Sequence, residues 1–545
     1  MTYASARLTT DTPAAAAGEL QRANVIRDAA AAALAALGVL LPWSIEFGVT
    51  IAGSPGWLVF LLVAAAVTSL TGLGLSHFGR LSMRRATDVR ALDRVRLVSN
   101  VPYLGLVTAS LLYAVIEVIR NGGTAAVPPG VGPGAWCGLA GALLAAAPVI
   151  TGFDADATAG HRTGRIIGIA SLVLSVAAVL FTLYWRTRFV APHIGDADTG
   201  AQNLAVFVAA VTYGIAAVVP VVLAARWSMS AQPAARLSIV LLGGSTLLAG
   251  SVLWLLPVGR DLDAFHGIAQ TTSTAGVGFE GYVAWVAVAA LVGFGTVMST
   301  RGSLEPWRAA ARKCLLLIAV WCGCSAILRI ADLVMSALLA LPDPPYNSTT
   351  LMAFDLVTGA VAAWLYINSA GNRAPRLLLG LLSGTLFVLT VCRVVVGVAL
   401  MPRVAPLNPD DITDVYGNTL AQQITGTFDV VLCLLAFAVT AIALRAGATA
   451  TTGPVESPKT STEDVVRQYE MSAGRPVDTT VLPRGASSAT IAMPSAAPAT
   501  VRIARQAETQ LPAPGDRVAD VLAQSTQRFA AGTTYGAKPA DVDPD

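Results

Sequence analysis

Five ionisable residues stand inside stretches otherwise apolar enough to cross a bilayer: Arg329, Asp332, Asp355, Arg393 and Asp429. A charge at such a depth costs about 2.5–3.5 kcal/mol on insertion scales, so each needs a reason. Their types suit two tasks. Arg and Asp on neighbouring helices can neutralise each other and fix the packing. The same groups can line an outward-facing vestibule that takes an ion, a proton or a small polar solute. A carboxylate held by an arginine stays ionised, which suits a binding site better than a proton shuttle. Asp332 follows Arg329 by three positions and shares its helix face.

The elements that position these residues follow from composition. Of 545 residues, 54% are hydrophobic and 13% charged, where a soluble chain carries roughly 25% charge. The apolar residues lie in runs of about 20, the length of a membrane-spanning helix. We read twelve spans, near 29–49, 55–76, 98–119, 134–153, 166–185, 203–225, 237–257, 281–299, 314–340, 350–369, 377–401 and 423–444. The expected fold is an all-α polytopic bundle over 29–445, preceded by a cytoplasmic segment, 1–28, and followed by a disordered tail, 446–545. No cleavable signal peptide is read before the first span. This composition argues against a soluble enzyme, a nucleic-acid-binding protein and a secreted disulfide scaffold. The net charge of +3 is too small to imply a polyanionic partner. All six cysteines lie in or beside apolar runs, and Cys322-Gly-Cys324 has no metal-ligand neighbours.

Orientation comes from the short loops. With the N-terminus inside, the inner loops hold 16 basic residues, among them Arg80, Arg84, Arg85, Arg90, Arg94 and Arg96, and the outer loops hold 5. The positive-inside rule then places both termini in the cytoplasm of a plasma-membrane protein. Arg329 and Arg393 lie about 15 residues from the inner ends of their spans, hence about 22 Å up at 1.5 Å per residue. Asp355 and Asp429 lie about 5 residues below the outer ends of theirs. The charges therefore share the outer third of the bilayer. Two hairpins repeat a pattern: Leu328-Arg329-Ile330 with Phe354-Asp355-Leu356-Val357, then Cys392-Arg393-Val394 with Phe428-Asp429-Val430-Val431. This reads as an internal duplication. Glu46 and Glu117 reach similar levels, either as part of the rim or as headgroup-level residues.

The basic stretch Arg80–Arg96 reads as a short helix lying on anionic headgroups, or as a gating loop. Gly243, Gly244, Ser245, Gly380, Ser383 and Gly384 suit close helix contact. No Ser-His-Asp, HExxH or Walker arrangement is found, so neither enzymatic activity nor a cofactor or metal is expected. In the tail, Asp478-Thr479-Thr480-Val481-Leu482-Pro483 and Glu508-Thr509-Gln510-Leu511-Pro512 put an acid before Thr and an aliphatic-Pro pair after it. These contexts resemble substrate sites of actinobacterial Ser/Thr kinases and ligands of FHA domains, which makes Thr479, Thr480 and Thr509 candidate phosphorylation sites.

Two stretches resemble loops of the major facilitator superfamily: Gly72-Leu-Gly-Leu-Ser76-His77-Phe-Gly79-Arg80 and Gly295-Thr-Val-Met-Ser299-Thr-Arg-Gly302. The glycines match. Ser76 and His77 stand where that family keeps Asp and Arg. The chain as a whole resembles mycobacterial-type multi-pass proteins of actinobacteria, in a first span reading Arg27-Asp28 through Leu41-Pro42-Trp43 to Phe47-Gly48. That resemblance implies no particular activity. The sequence leaves two functions open, with a membrane-embedded lipid enzyme a third reading that the lack of a catalytic constellation weakens. One is transport or ligand sensing of an ion or small polar solute through the outer cluster. The other is a cell-envelope scaffold or signalling protein whose tail engages a kinase or FHA-domain partner.

Overall fold

A backbone in hydrocarbon must satisfy its own hydrogen bonds, and a helix does so within one segment. The computed structural model describes residues 13–44, 46–49, 51–82, 86–122, 130–151, 161–255, 279–289, 291, 294–300, 303–338, 348–369, 375–400 and 412–451. Among them are thirteen α-helices, a 3-10 turn at Ala191–His193, and no strand. In chain order the helices are α1 (Pro13–Leu40), α2 (Gly56–Ser82), α3 (Ala86–Arg120), α4 (Pro133–Ala146), α5 (His161–Thr187), α6 (Gly200–Met229) and α7 (Pro233–Leu255). They continue with α8 (Phe279–Ala289), α9 (Phe294–Ser299), α10 (Leu304–Leu338), α11 (Ser348–Asn368), α12 (Arg376–Leu400) and α13 (Ile412–Thr451). Ten of these, among the described residues, are long and apolar enough to cross a membrane. The protein is an all-helical, multi-pass integral membrane protein.

The fourth and eighth predicted spans take a different form. α4 has 14 residues, about 21 Å of helix. Pro133 opens it, where a missing N–H costs nothing. Ala147, whose backbone is extended, ends it just before Pro148. α8 has 11 residues and gives way to the short α9. Twelve residues of α4 are buried, as is every residue from Tyr282 to Ala289. α1 and α3 pack on α4, and α5, α6 and α7 pack on α8. Both short helices therefore meet protein rather than lipid. A stretch that is apolar all round reads the same in either setting.

Small residues set the closest approach. A Cβ on Gly38 would lie 2.8 Å from the Gly138 nitrogen, and one on Gly141 would lie 2.7 Å from the Ala35 nitrogen. α1 and α4 thus cross at backbone contact. Gly243 meets Ala287 of α8 in the same way, whereas Gly244, Gly380 and Gly384 face open space. Among the described residues the predicted headgroup helix is not a separate element: α2 runs to Ser82, and α3 starts at Ala86 and absorbs Arg90, Arg94 and Arg96. Gly72–Gly79 is likewise interior to α2. α13 continues to Thr451, past residue 446, where the sequence predicts the tail to begin.

Candidate functional site

The α1–α2 turn, the C-terminal ends of α10 and α12 and the N-terminal end of α11 lie on one face of the bundle, here the far face. Four helices bring charge to a common depth beneath it. Asp355 lies seven residues into α11 and Arg393 seven residues before the end of α12, each about 10 Å below the helix end. Arg329 lies nine residues before the end of α10, about 13 Å down. Asp429 approaches from α13.

These four side chains form one network. Arg329 Nε donates to Asp355 Oδ2 at 3.0 Å, and Arg393 Nε donates to Asp355 Oδ1 at 2.5 Å. Arg393 Nη1 donates to Asp429 Oδ1. Each hairpin of the repeat thus owns one Arg–Asp pair, and Arg393–Asp355 joins the two. Among the described side chains two positive and two negative charges cancel, which makes their burial tolerable. The Asp355 side chain is 0% exposed and that of Arg393 is 3%, while Asp429 at 10% and Arg329 at 15% lie at the edge. Towards the membrane interior Trp321 stacks on Phe428, with ring centroids 4.6 Å apart and planes 8° from parallel. Buried Cys322 sits next to Trp321, within electrostatic reach of Asp355, Arg393 and Asp429. The α10 and α11 backbones close up there, where a Cβ on Gly359 would lie 3.2 Å from Cys322 Cβ. Thr358, one turn beyond Asp355, is buried, and its hydroxyl has no hydrogen-bond partner among the described residues.

The fifth predicted member, Asp332, lies on α10, but its side chain is outside the described residues. So are Thr479, Thr480 and Thr509. Glu46 and Glu117 bond elsewhere: Glu46 accepts from Tyr113 Oη at 3.2 Å, and Glu117 pairs with Arg120 at 2.9 Å.

A second buried network escapes the sequence reading. Asp28 on α1 accepts from Arg96 on α3, Nη2 to Oδ1 at 2.8 Å and Nη1 to Oδ2 at 3.3 Å, and from Arg27 Nη2 at 3.2 Å. Arg96 also donates to Ser76 Oγ and to the Leu144 carbonyl near the end of α4. Beyond that end the chain is extended, and its backbone groups need partners. Arg27 Nη1 donates to the Pro148 carbonyl at 2.5 Å, and Asp93 Oδ1 accepts from the Val149 N–H at 2.8 Å. Asn24 bonds both the N–H and the carbonyl of Ile150, each at 3.0 Å. Side chains of α1 and α3 thus satisfy the backbone beyond the end of α4. The structure brings them inside: α1 and α3 continue well beyond the apolar runs, so Asp28 and Arg96 lie within helices rather than in loops.

No curated protein and no solved structure matches the chain. One family model does, over residues 24–447. The matched stretch opens at Asn24, the first side chain of this clamp, takes in both networks and closes within α13. The chain belongs to the family described as a domain of unknown function, DUF7937.

Proposed function

We propose that this is a non-enzymatic plasma-membrane protein that handles a small polar solute or ion, by transport or by sensing, through the Arg329–Asp355–Arg393–Asp429 network. The observation that carries this reading is Asp355, a fully buried carboxylate shared by two arginines from two hairpins. Replacing a buried ion network with well-packed apolar residues is often neutral or stabilising. Four charges kept in the membrane therefore point to an exchangeable lock. Arg329 has the greatest exposure of the four, so a guanidinium is the first group an entering solute meets. A carboxylate- or phosphate-bearing solute can compete for it, free Asp355, and loosen the α10–α11 hairpin from α12. The loop charges support a far face directed outward and both termini in the cytoplasm.

The burial of Asp355 and Arg393 also favours a second reading, a static lock in an envelope scaffold. The threonine contexts of the tail would then supply the contact with a Ser/Thr kinase or FHA-domain protein.

Cys322 is a native reporter that separates the two. With the other five cysteines replaced, a membrane-impermeant maleimide is applied to intact cells. An exchangeable lock gives slow labelling that small anions accelerate or suppress. Protection under every condition, in a protein that stays folded, leaves the static lock. Reconstituted protein screened for currents against a panel of small anions and cations gives the independent readout.

A further inference from the structure

A groove of about 570 Å³ opens on the far face between the α1–α2 turn, α2 and α3, remote in sequence from the α10–α13 charges. Trp43, Phe47, Leu58, Leu62 and Leu106 give it apolar walls, and Glu46 and Tyr113 give it a polar end. Its polarity follows depth. Tyr113 lies seven residues before the end of α3 and Leu106 fourteen, about 10 Å and 21 Å down. Trp57 and Phe60 on α2 are 70% and 75% exposed, so this flank of the bundle faces lipid. The groove thus has the layout of a lipid in the far leaflet, with polar contacts near the headgroups and apolar walls beneath.

Charge identifies the head. Glu117, one turn along α3, is neutralised by Arg120. Glu46 accepts a hydrogen bond from Tyr113, and no cation pairs with it among the described residues. An uncompensated carboxylate at the mouth of an apolar groove selects a cation that donates hydrogen bonds and repels an anionic head. We propose that the groove is a binding site for an aminophospholipid. One acyl chain lies along Leu58, Leu62 and Leu106, and the primary ammonium donates to Glu46 beside the Tyr113 hydroxyl.

The test uses the full chain in nanodiscs doped with either of two lipids that carry the same diazirine-bearing acyl chain. One has an ethanolamine head and the other a glycerol head. After photolysis the crosslinked peptides are mapped. The ethanolamine lipid is expected to mark 57–62 and 106–113 about tenfold more than the glycerol lipid, the equivalent of one charge-assisted hydrogen bond. Glu46→Gln should erase that preference, and Tyr113→Phe should reduce it. Leu62→Trp, which fills the groove, should lower labelling by both lipids. Equal labelling by the two heads in the unaltered chain overturns the proposal, as does an unchanged preference in Glu46→Gln. Loss of both labels in Glu46→Gln with a lowered melting point does so too, because Glu46 would then shape the groove rather than read the head.

Discussion

The two buried networks use similar residues for opposite ends. The α10–α13 network ties side chain to side chain: among the described residues, the bonds of Asp355 and Arg393 go to other charges. The α1–α3 network also holds ion pairs, Asp28 with Arg96 and Arg27, but it reaches on to backbone, the carbonyls and N–H groups of 144–150. The first holds helices that are already complete. The second satisfies the backbone where a helix stops early. Breaking the first leaves a naked charge, and breaking the second at Asn24 leaves naked peptide groups. The former penalty is larger in a medium of low dielectric constant.

The largest effect should therefore come from Arg393, the residue that bonds both carboxylates. Arg393→Met strands Asp429 and leaves Asp355 with Arg329 alone, and is expected to cost about 3–5 kcal/mol. A thermal melt in detergent or nanodiscs should show a large fall in midpoint. Replacing all four network residues with apolar side chains of similar size sharpens the point. Stability should then return to near the starting value, because no charge is left unpaired. An Arg393→Met melt within about a degree of the unaltered chain would mean that water reaches the network in the resting protein.

The clamp should break at lower penalty. Asn24→Leu keeps the shape of the side chain and removes both bonds to Ile150. Two peptide groups lose partners, at about 1–3 kcal/mol for a fully buried group. Because Arg27 and Asp93 still hold the neighbouring peptides, about 2 kcal/mol is expected. Hydrogen exchange of the Ile150 amide should rise far more than exchange in α11 or α12. Equal rises everywhere would make the clamp part of one global unit.

How much of this was legible depends on which physical signal each feature leaves. The long helices show as apolar runs, and depth counting along them places Arg329, Asp355 and Arg393 together because rise per residue is fixed. The repeated Arg and Phe-Asp hairpins carry the pairing within each hairpin. They do not carry the Arg393–Asp355 bond, which depends on how the hairpins pack. α4 and α8 were read as spans because an all-apolar helix looks alike against lipid and against protein. Arg96 was hidden by its company: among Arg90 and Arg94 it looks like one more loop charge. Only the 35-residue length of α3 moves it into the interior. The sequence does not single out the crossing glycines Gly38, Gly138 and Gly141 over pairs such as Gly243-Gly244, because small residues mark an interface only when the partner helix is known.

The smallest effect tests whether the aromatic stack belongs to the network or merely lies beneath it. Trp321 and Phe428 lie parallel at 4.6 Å, and Phe428 directly precedes Asp429 in α13. A stacked pair contributes about 0.5–1.5 kcal/mol beyond the area it buries. A double-mutant cycle with Trp321→Leu and Phe428→Leu should return a coupling of that size. Repeating the cycle in the chain whose four charges have been replaced decides the question. If the stack only fills space, the coupling is unchanged. If the rings hold the Asp429 helix turn against Arg393, the coupling shrinks once there is no ion pair to align. In that case the aromatic floor is part of the lock, and an opening of the network must also part the rings, which Trp321 fluorescence in a chain lacking the other tryptophans would report.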